Sequence, residues 1–359
     1  MVRAGQGESG WSALVRRIGA VVDVEASARE FGALVRARKL GRGEDLLRLA
    51  LLYGPGGLSL RASAEAACAL GMADRLSDKA VLGRLRRMGD WLEHILRALL
   101  DDIGPRLGGS LALVDGTLVY SCGRGRPGFR VHALYEPALG RFTDFQVTTD
   151  RVREGAAQTR LAPARTMVFD RGYARVRDIA AVLAAGSDMV TRIGWRALRL
   201  LDAAGVPIDL MALLPEGLAA TDHEVRLAGM EAPLRLVMQR LPPVQAASQA
   251  KRTRRRASKQ GHRLDPRTER ASGYLIVLTS LAAKRASAAK VVELYRARWQ
   301  IELGFKRLKS LGDLDGLRAA DPELARTWLL AQLIAAVLSE DLASQLAGFS
   351  PPSPADACA

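Results

Sequence analysis

Two aspartates in the sequence follow short apolar runs that are typical of buried strands. Asp115 comes directly after the run LALV, and Asp170 comes directly after the run TMVF. In open α/β sheets, functional groups gather where the carboxyl ends of the strands leave the core. We therefore expect the two carboxylates to lie close together, where divalent cations relieve their mutual repulsion. Taken singly, an aspartate after a strand is more often a turn residue or a helix cap, so the hypothesis rests on the pair.

A third acid lies on a long helix that the hydrophobic period predicts from about 288 to 311. Four polar residues share one face of this helix: Tyr295, Arg298, Glu302 and Lys309. At about 100° per residue, their side chains fall within roughly 60° of arc. The neighbouring apolar stripe consists of Leu294, Ile301, Phe305 and Leu308. The polar line is therefore expected beside the buried face of the helix, next to the sheet edge that carries the two aspartates.

The composition limits the class of protein and the kind of metal site. The chain has 359 residues and a formal net charge of +15, which favours a polyanionic partner, either nucleic acid or an anionic membrane. The sequence has no run of 18 apolar residues and no apolar signal core near its N-terminus, so we expect no membrane partner. Its cysteines, odd in number and without paired spacing, predict a reducing cytoplasm as the location. Its three cysteines lie far apart, and its four histidines lack His-x-x-x-His spacing. Any metal is therefore expected to be held by carboxylates, which suit Mg²⁺ or Mn²⁺.

The order of predicted strands and helices indicates an α/β core. Three strands, a short helical piece, a strand, a helix and a further strand fill the segment from 111 to 193. A strand at about 274–279 and the long helix resume the core after a less regular segment with short alternating runs. The predicted regions are a helical N-terminal part (1–105), a core (108–193 and 273–312), a β-rich insertion (194–272), and a C-terminal helix and tail (313–359).

The N-terminal region is predicted to be all-α. Ser59 and Ser77 are typical N-caps, and the second of these helices is expected to run through Ile95 with a basic face. Two helices joined by a tight turn, the second one basic, are typical of a helix-turn-helix and predict DNA binding. A helical hairpin with a solvated basic face explains the same pattern equally well.

Three segments resemble motifs of a known family. YRARWQIELGFKRLK resembles the Tyr-Arg-Glu-Lys signature of bacterial insertion-sequence DDE transposases of the insertion-sequence-four type, and VDGT and FDRGYA resemble the two aspartate motifs of that family. The resemblance covers about residues 111–309. It implies a ribonuclease-H-like catalytic core interrupted by a β-rich insertion. It also implies that Asp115, Asp170 and Glu302 are the catalytic residues and the metal ligands.

The resemblance further implies a metal-dependent DNA reaction. Two Mg²⁺ ions, which Mn²⁺ can replace, activate a water and stabilise the leaving oxygen of a phosphodiester. The same site can activate a 3′-hydroxyl of DNA instead of water, which turns cleavage into strand transfer. The family places Tyr295, Arg298 and Lys309 beside the DNA end. Their chemistry agrees, because arginine binds phosphate as a bidentate fork and lysine as a point charge.

Other residues have two interpretations each. Arg171 and Tyr173 are predicted to contact DNA, although the glycine turn of DRGY is an alternative reason for that motif. Trp195 is predicted to stack on an extruded base, with a buried tryptophan as the commoner interpretation. Glu154 falls in a predicted short helix near the site, where an exposed glutamate is the ordinary interpretation and assistance to the site the alternative. The basic run at 251–256 is interpreted as a solvated helix or arm that contacts phosphate.

The leading hypothesis is a DNA transposase that cleaves the ends of an insertion sequence and joins them to target DNA. A metal-dependent nuclease without strand transfer is the second hypothesis, and a catalytically silent DNA-binding repressor is the third. The expected partners are double-stranded DNA, as terminal inverted repeats and as target, and a second copy of the chain in the synaptic complex. Only about fifty residues follow Lys309, so dimer formation is expected either to depend on the final helix or to be compromised. The expected location is the bacterial nucleoid.

Overall fold

A computed structural model describes residues 10–36, 39–103, 111–121 and 128–347. The predicted boundary between the N-terminal region and the core, two of the three cysteines and the predicted C-terminal tail lie outside these ranges. None of the helices within them combines the length and the apolar character that crossing a bilayer requires.

The described residues of the N-terminal region contain six helices. They are α1 (Gly10–Gly19), α2 (Val24–Glu30), α3 (Gly43–Tyr53), α4 (Leu60–Ala69), α5 (Asp78–Leu85) and α6 (Gly89–Ile103). The two predicted N-caps are confirmed, since the hydroxyl of Ser59 accepts a hydrogen bond from the amide of Ala62 and that of Ser77 from the amide of Ala80. Each cap satisfies one amide that has no partner within its helix.

The predicted continuous helix from Ser77 through Ile95 is wrong. The chain breaks between α5 and α6, where the amide of Met88 bonds to the carbonyl of Leu85 in a tighter turn. The next residue, Gly89, lies against the guanidinium of Arg326, and a Cβ atom there would be 2.7 Å from it. The predicted turn between α4 and α5 lies where expected, since Gly71, with a φ of 70°, follows the end of α4 and Ser77 caps α5. The eight residues 70–77 that separate these helices are nevertheless more than the three to four of a helix-turn-helix turn.

A single sheet contains the nine strands of the described residues, in the order β3-β2-β1-β4-β5-β9-β8-β7-β6. The strands of the first half are β1 (Leu111–Tyr120), β2 (Gly128–Glu136), β3 (Arg141–Thr149), β4 (Thr166–Phe169) and β5 (Asp188–Arg192). The first three form an antiparallel meander, and β4 and β5 run parallel to β1. Helix α7 (Val176–Ala184) connects β4 to β5 as a crossover.

The prediction that Asp115 ends its strand is wrong. Strand β1 pairs with β4 only as far as the partners Val114 and Phe169, but it continues along β2 to Tyr120. Asp115 is thus the first residue of β1 beyond the parallel pairing, and Asp170 is the first residue after β4. The two aspartates therefore occupy equivalent positions at the same edge, as the sequence predicted.

The segment from 194 to 272 contributes three strands and two helices. They are β6 (Leu200–Leu201), β7 (Thr221–Leu227), β8 (Pro233–Arg240), α8 (Pro243–Lys259) and α9 (Pro266–Ser272). Strand β9 (Tyr274–Thr279) pairs with β5 on one side and with β8 on the other. The strands of the insertion therefore continue the core sheet and do not form a separate one. The basic run at 251–256 lies within α8, a helix that has no buried residue.

The predicted helix from 288 to 311 is divided into α10 (Ala288–Arg296) and α11 (Trp299–Ser310). At the junction, the amides of Arg298, Gln300 and Ile301 bond to carbonyls three residues earlier in place of four, which tightens the turn. The predicted apolar stripe is largely confirmed, because Ile301, Phe305 and Leu308 are buried. Gly304 brings α11 close to β3, since a Cβ atom there would lie 2.7 Å from the ring of Phe142.

The last helix, α12 (Pro322–Ala347), packs between the N-terminal helices and the sheet. Ion pairs join its Asp341 to Arg17 of α1 at 2.8 Å and to Arg141 of β3 at 2.6 Å. The hydroxyl of Thr327 donates to the carbonyl of Leu85. The fully buried apolar residues of α12 are Ala325, Leu329, Leu330, Ala331, Leu333, Ile334 and Val337. The apolar side of this helix is therefore covered by its own chain.

Candidate active site

The site lies at the edge where β1 and β4 stop pairing. Asp115 is mostly buried, with 18% of its side chain exposed, and one of its carboxylate oxygens accepts a hydrogen bond from the amide of Gly116 at 2.8 Å. Burial is the main reason why the pKa of Asp115 is raised to about 6, and the charges of Glu154 and Asp170 act in the same direction. The hydrogen bond from Gly116 and the charge of Arg298 lower the pKa, but by less. The sheet thus brings the two predicted aspartates into one electrostatic environment.

Arg298 connects two of the three predicted catalytic acids. Its guanidinium donates to the carboxylate of Asp115 at 3.2 Å and to that of Glu302, one helical turn further on. The Nε atom of Arg298 is buried and has no hydrogen-bond partner among the described residues. Burial alone would lower the pKa of this guanidinium, but its interactions with Tyr295 and with the carboxylates of Asp170, Asp115 and Glu302 raise it overall. Arg298 is therefore a fixed positive charge inside an acidic centre.

Tyr295 binds the second aspartate. Its hydroxyl donates a hydrogen bond to Oδ1 of Asp170 at 3.3 Å, and only 8% of the residue is exposed. Burial and the charge of Asp170 raise the pKa of Tyr295, so the hydroxyl stays protonated and can act as a donor. The junction between α10 and α11 thus brings the tyrosine, the arginine and Glu302 to the two aspartates, although the predicted single helix is interrupted there.

Lys309 lies further along α11 and forms an ion pair with Asp315 at 3.1 Å. It lines an open cavity of about 490 Å³ together with Asp115, Glu302 and Lys306. The structure thus places Lys309 beside the acids but outside the cluster that Arg298 joins. An anion that reached the acids from this side would pass two lysines.

A larger cleft of about 890 Å³ opens on the other side, between Asp170 and helix α8. Its lining arginines are Arg171, Arg192, Arg196, Arg252, Arg256 and Arg263. Burial lowers the pKa of Arg171, and the charges of Arg192 and Arg256 contribute to the lowering. Concentrated positive charge of this kind attracts a polyanion. Arg171, predicted as a DNA contact, therefore lies where a phosphate can reach it.

Trp195 and Tyr173 differ in accessibility. Trp195 lines the large cleft, its indole nitrogen donates to the hydroxyl of Thr268 at 3.1 Å, and the guanidinium of Arg196 lies 4.2 Å from its ring. One face of the indole is thus already covered, and its role as a DNA contact stays a prediction. Tyr173 is only 2% exposed, which places it beneath the site and gives no support to a direct DNA contact.

Glu154, for which the sequence left assistance to the site open, forms an ion pair at the floor of the site with Arg130, which the sequence did not single out. Their charged atoms lie 2.6 Å apart, and 24% of the glutamate side chain is exposed. The predicted helix that was to carry Glu154 is a three-residue turn at Ala156–Gln158, so the glutamate lies on a loop. The alternation of β2 places Arg130 and His132 on one face of the strand, which was the available sign that a charged side chain points toward the site.

The donor atoms around Arg298 suit a hard divalent cation, because they are carboxylate oxygens without histidine or cysteine. Within the part of the chain that the structure describes, no three acidic, histidine or cysteine side chains come close enough to enclose a metal ion. Asp115 and Glu302 instead share the guanidinium of Arg298. The donor atoms therefore have the chemistry of a magnesium or manganese site, but in this structure the positive charge between Asp115 and Glu302 is the guanidinium of Arg298.

An acidic centre at the edge of a mixed sheet, flanked by basic clefts, defines a class of enzymes that act on polyanions. The sequence model of one family, the transposase DDE domain, matches residues 106–338. This match covers the acids, the insertion and most of α12. The chain therefore belongs to the DDE transposase family, and the resemblance inferred from its motifs is confirmed.

Individual relatives extend the likeness beyond that domain. The chain is 38% identical over 357 residues to the InsL protein of insertion sequence element IS186A of Escherichia coli (strain K12), and 96% of each chain is covered. It is 37% identical over the same length to the transposase for insertion sequence element IS421 of Escherichia coli. The transposase for IS231F of Bacillus thuringiensis subsp. israelensis is 23% identical over 234 residues, which are 59% of this chain and 49% of that one.

Proposed function

We propose that this protein is the transposase of an insertion sequence, which cleaves DNA at the ends of its element and joins those ends to target DNA. The observation that carries the proposal is the bridge made by Arg298 between Asp115 and Glu302, beside Asp170. This bridge, together with the hydrogen bond from Tyr295 to Asp170, supports the proposal that the three acids of the family motifs act together. The names of the relatives, transposases of insertion sequences, support the same conclusion.

Asp115, Asp170 and Glu302 are the residues that would hold divalent metal ions, Mg²⁺ or Mn²⁺. Such ions supply an activated oxygen nucleophile and stabilise charge on the leaving oxygen. Arg298 and Lys309 would bind the phosphate that undergoes reaction, the arginine after leaving the carboxylates. Tyr295 holds Asp170 through its hydroxyl and fixes the position of that carboxylate.

The order of the first five strands supports a ribonuclease-H-like core. An antiparallel meander, β3-β2-β1, is followed by β4 and β5 parallel to β1. Residues 194–272 enter this core between β5 and the helix that carries Glu302. The insertion therefore supplies one wall of the large cleft without interrupting the acidic centre.

The two clefts support a path for DNA across the acids. One cleft carries lysines beside Asp115 and Glu302, and the other carries arginines beside Asp170. Helix α8 carries the basic run 251–256 and contains no buried residue, which is typical of a helix that faces a charged partner or solvent. Double-stranded DNA, as terminal repeats and as target, is the partner that fits this charge, and the bacterial nucleoid is where the protein would meet it.

Pairing of two element ends calls for a second copy of the chain, and we include a homodimer in the proposal. Because the apolar side of α12 is buried within the chain, this helix does not offer that side to a partner. A dimer would therefore use a different surface from the one expected from the sequence.

The test uses the DNA that flanks the gene. Purified protein is incubated with labelled fragments of both flanks, with Mg²⁺ or Mn²⁺ and with EDTA. Glu302→Ala is compared with Glu293→Ala, an exposed glutamate of α10. We expect cuts at fixed inverted-repeat ends that require metal and Glu302, followed by joined products.

Each alternative function gives a different pattern in the same assay. Cutting without any joined product would identify a nuclease. Binding without cutting, unchanged in Glu302→Ala, would identify a DNA-binding repressor and refute the proposed function.

A further inference from the structure

Helix α8 contacts its own chain along one side only. None of its residues is buried, and the partly covered ones are Ala246, Gln249, Ala250, Thr253 and Ala257. At about 100° per residue, these five fall within about 100° of arc. Every other residue of the helix is exposed. More than about two thirds of the circumference of α8 is therefore open to a partner.

The side of α8 that faces away from its own chain carries a row of side chains suited to the edges of DNA bases. Val244, Ser248, Lys251 and Arg255 have the spacing i, i+4, i+7 and i+11, which places them within about 60° of arc. We name these four residues the outer row. In the major groove, arginine and lysine bind guanine, serine binds several bases, and apolar groups contact the methyl group of thymine.

The outer row has no other partner that would explain it. Val244 is 83% exposed. Neither Lys251 nor Arg255 forms an ion pair with an acid of the described residues, whereas the neighbouring Arg254 pairs with Glu269 of α9 at 2.6 Å. Two cations without counterions and an exposed valine therefore share one face of a helix next to the acidic centre.

Further cations lie on both flanks of the outer row. On one flank, Arg252 and Arg256 line the large cleft that also contains Asp170. On the other flank, the side chain of Arg254 remains 64% exposed despite its ion pair. Cations in these places can bind the phosphates on the two sides of a groove. Such contacts hold a protein in register on the duplex, while contacts to base edges specify the sequence.

The dimensions of α8 agree with those of the major groove. A helix with its side chains is about 10–12 Å across. The major groove of B-DNA is about 12 Å wide, and the minor groove is about 6 Å wide. The outer row extends roughly 16 Å along the helix axis, which corresponds to about five base-pair steps of about 3.4 Å. The row can thus reach several successive base pairs.

We infer that α8 lies in the major groove of the element's end and reads its sequence there through the outer row. The inference rests on the proposed function and adds the mode by which that DNA is recognised. Because Arg252 and Arg256 share their cleft with Asp170, the base pairs that α8 reads lie beside the acids. Recognition at this place fixes the position of the cut relative to the sequence.

The test is a methylation-interference experiment on the full-length chain. Dimethyl sulfate methylates guanine at N7, an acceptor that guanine presents in the major groove. Labelled duplexes from both flanks of the gene are sparsely methylated and incubated with protein in EDTA, and bound DNA is compared with free DNA. Arg255→Gln alters the outer row, and Arg252→Gln removes a cation of its flank. The matched control is Arg318→Gln, an exposed arginine between α11 and α12.

We expect the wild type to exclude DNA that is methylated at guanines within about 10 base pairs of the cut, one turn of the duplex. Arg255→Gln should lose this interference at one or two of them. Its affinity for the element's end should fall by about 5- to 150-fold, with a much smaller change on an unrelated duplex of the same length. Arg252→Gln should weaken binding to both duplexes alike and keep the interference pattern.

An interference pattern that folded Arg255→Gln leaves intact would overturn the inference. Equal weakening on both duplexes would then limit α8 to phosphate contacts, and unchanged affinity would make it a solvated helix. Thermal unfolding of each variant shows whether it is folded. If the wild type still cuts and joins fixed ends in Mg²⁺, the proposed function stands without the inference. A wild type that binds both duplexes equally and cuts neither refutes both.

Discussion

Replacing Arg298 with methionine removes the cation that lies between Asp115 and Glu302 and keeps most of the apolar stem of the side chain. We expect the free protein to bind Mn²⁺ more tightly after this change, because the metal no longer has to displace a guanidinium from the carboxylates. We also expect the variant to lose DNA end cleavage, because Arg298 is proposed to bind the reacting phosphate. A gain in metal affinity together with a loss of activity is an unusual combination and makes the reasoning easy to refute.

The magnitude follows from the distances. Two unit charges 3.2 Å apart, as in Arg298 and Asp115, attract each other by at most about 5 kcal/mol at an effective dielectric constant of about 20. Glu302 is 55% exposed, so solvent screens its pair with the arginine and that pair adds little. The desolvation of the guanidinium offsets part of the first energy. The net free energy with which Arg298 holds the carboxylates is then about 1.4–2.8 kcal/mol. Removing this competition should raise the Mn²⁺ affinity by about 10- to 100-fold.

The assay is a Mn²⁺ titration of Arg298→Met in the absence of DNA. Arg296→Met is the matched control, since this exposed neighbour bonds only to Gln239 among the described residues. Mn²⁺ affinity at or below the wild-type value in folded Arg298→Met would show that the guanidinium does not compete with the metal.

Three further predictions concern packing, pH and salt. Gly304→Ala is expected to destabilise the protein by about 1–3 kcal/mol in a denaturation experiment, because the added Cβ would lie 2.7 Å from Phe142. Burial raises the pKa of Glu340 to about 7. The contribution of this group to stability is therefore complete below about pH 4.5 and is lost as the pH rises through about 7. Glu340→Gln should reduce the change of the unfolding temperature with pH across that range. Arg256→Gln in the large cleft should weaken DNA binding and reduce the slope of log affinity against log salt by about 0.9 if one phosphate contact is lost.

Each of these predictions has a control or a contradicting result. Gly217→Ala adds a methyl group where nothing lies within 4 Å and should change stability by less than about 0.5 kcal/mol. A pH dependence of unfolding that Glu340→Gln leaves intact would assign the effect to other groups. A salt slope equal to that of the wild type would remove Arg256 from the DNA path.

The sequence predicted those parts of the fold that depend on local patterns. Strand β4 is the apolar run that was expected, and Ser59 and Ser77 cap helices because a hydroxyl acceptor serves the nearest free amides. The length of β1 depends instead on pairing with β2, which no local pattern reveals. The attachment of the insertion to the core sheet through β8 and β9 is a long-range pairing of the same kind.

The site was predictable to the extent that its residues belong to recognisable motifs. Asp115, Asp170, Tyr295, Arg298 and Glu302 lie together in the structure. Contacts between side chains from distant segments could not be read from spacing, such as the guanidinium shared by two acids or the ion pair between Arg130 and Glu154. Arginine in a signature motif indicates phosphate binding, and only the packed structure shows that it first binds the carboxylates.

The position of α12 has a consequence for how the chain is made. The ion pair between Arg17 and Asp341 joins residues separated by 324 positions. At about 5–20 residues per second, a ribosome needs roughly 16–65 s to reach the second residue after making the first. During that time the apolar faces of the N-terminal helices lack the helix that covers them. Newly made chains therefore expose an apolar surface until α12 has been translated, and we expect chaperones to bind that surface during this interval.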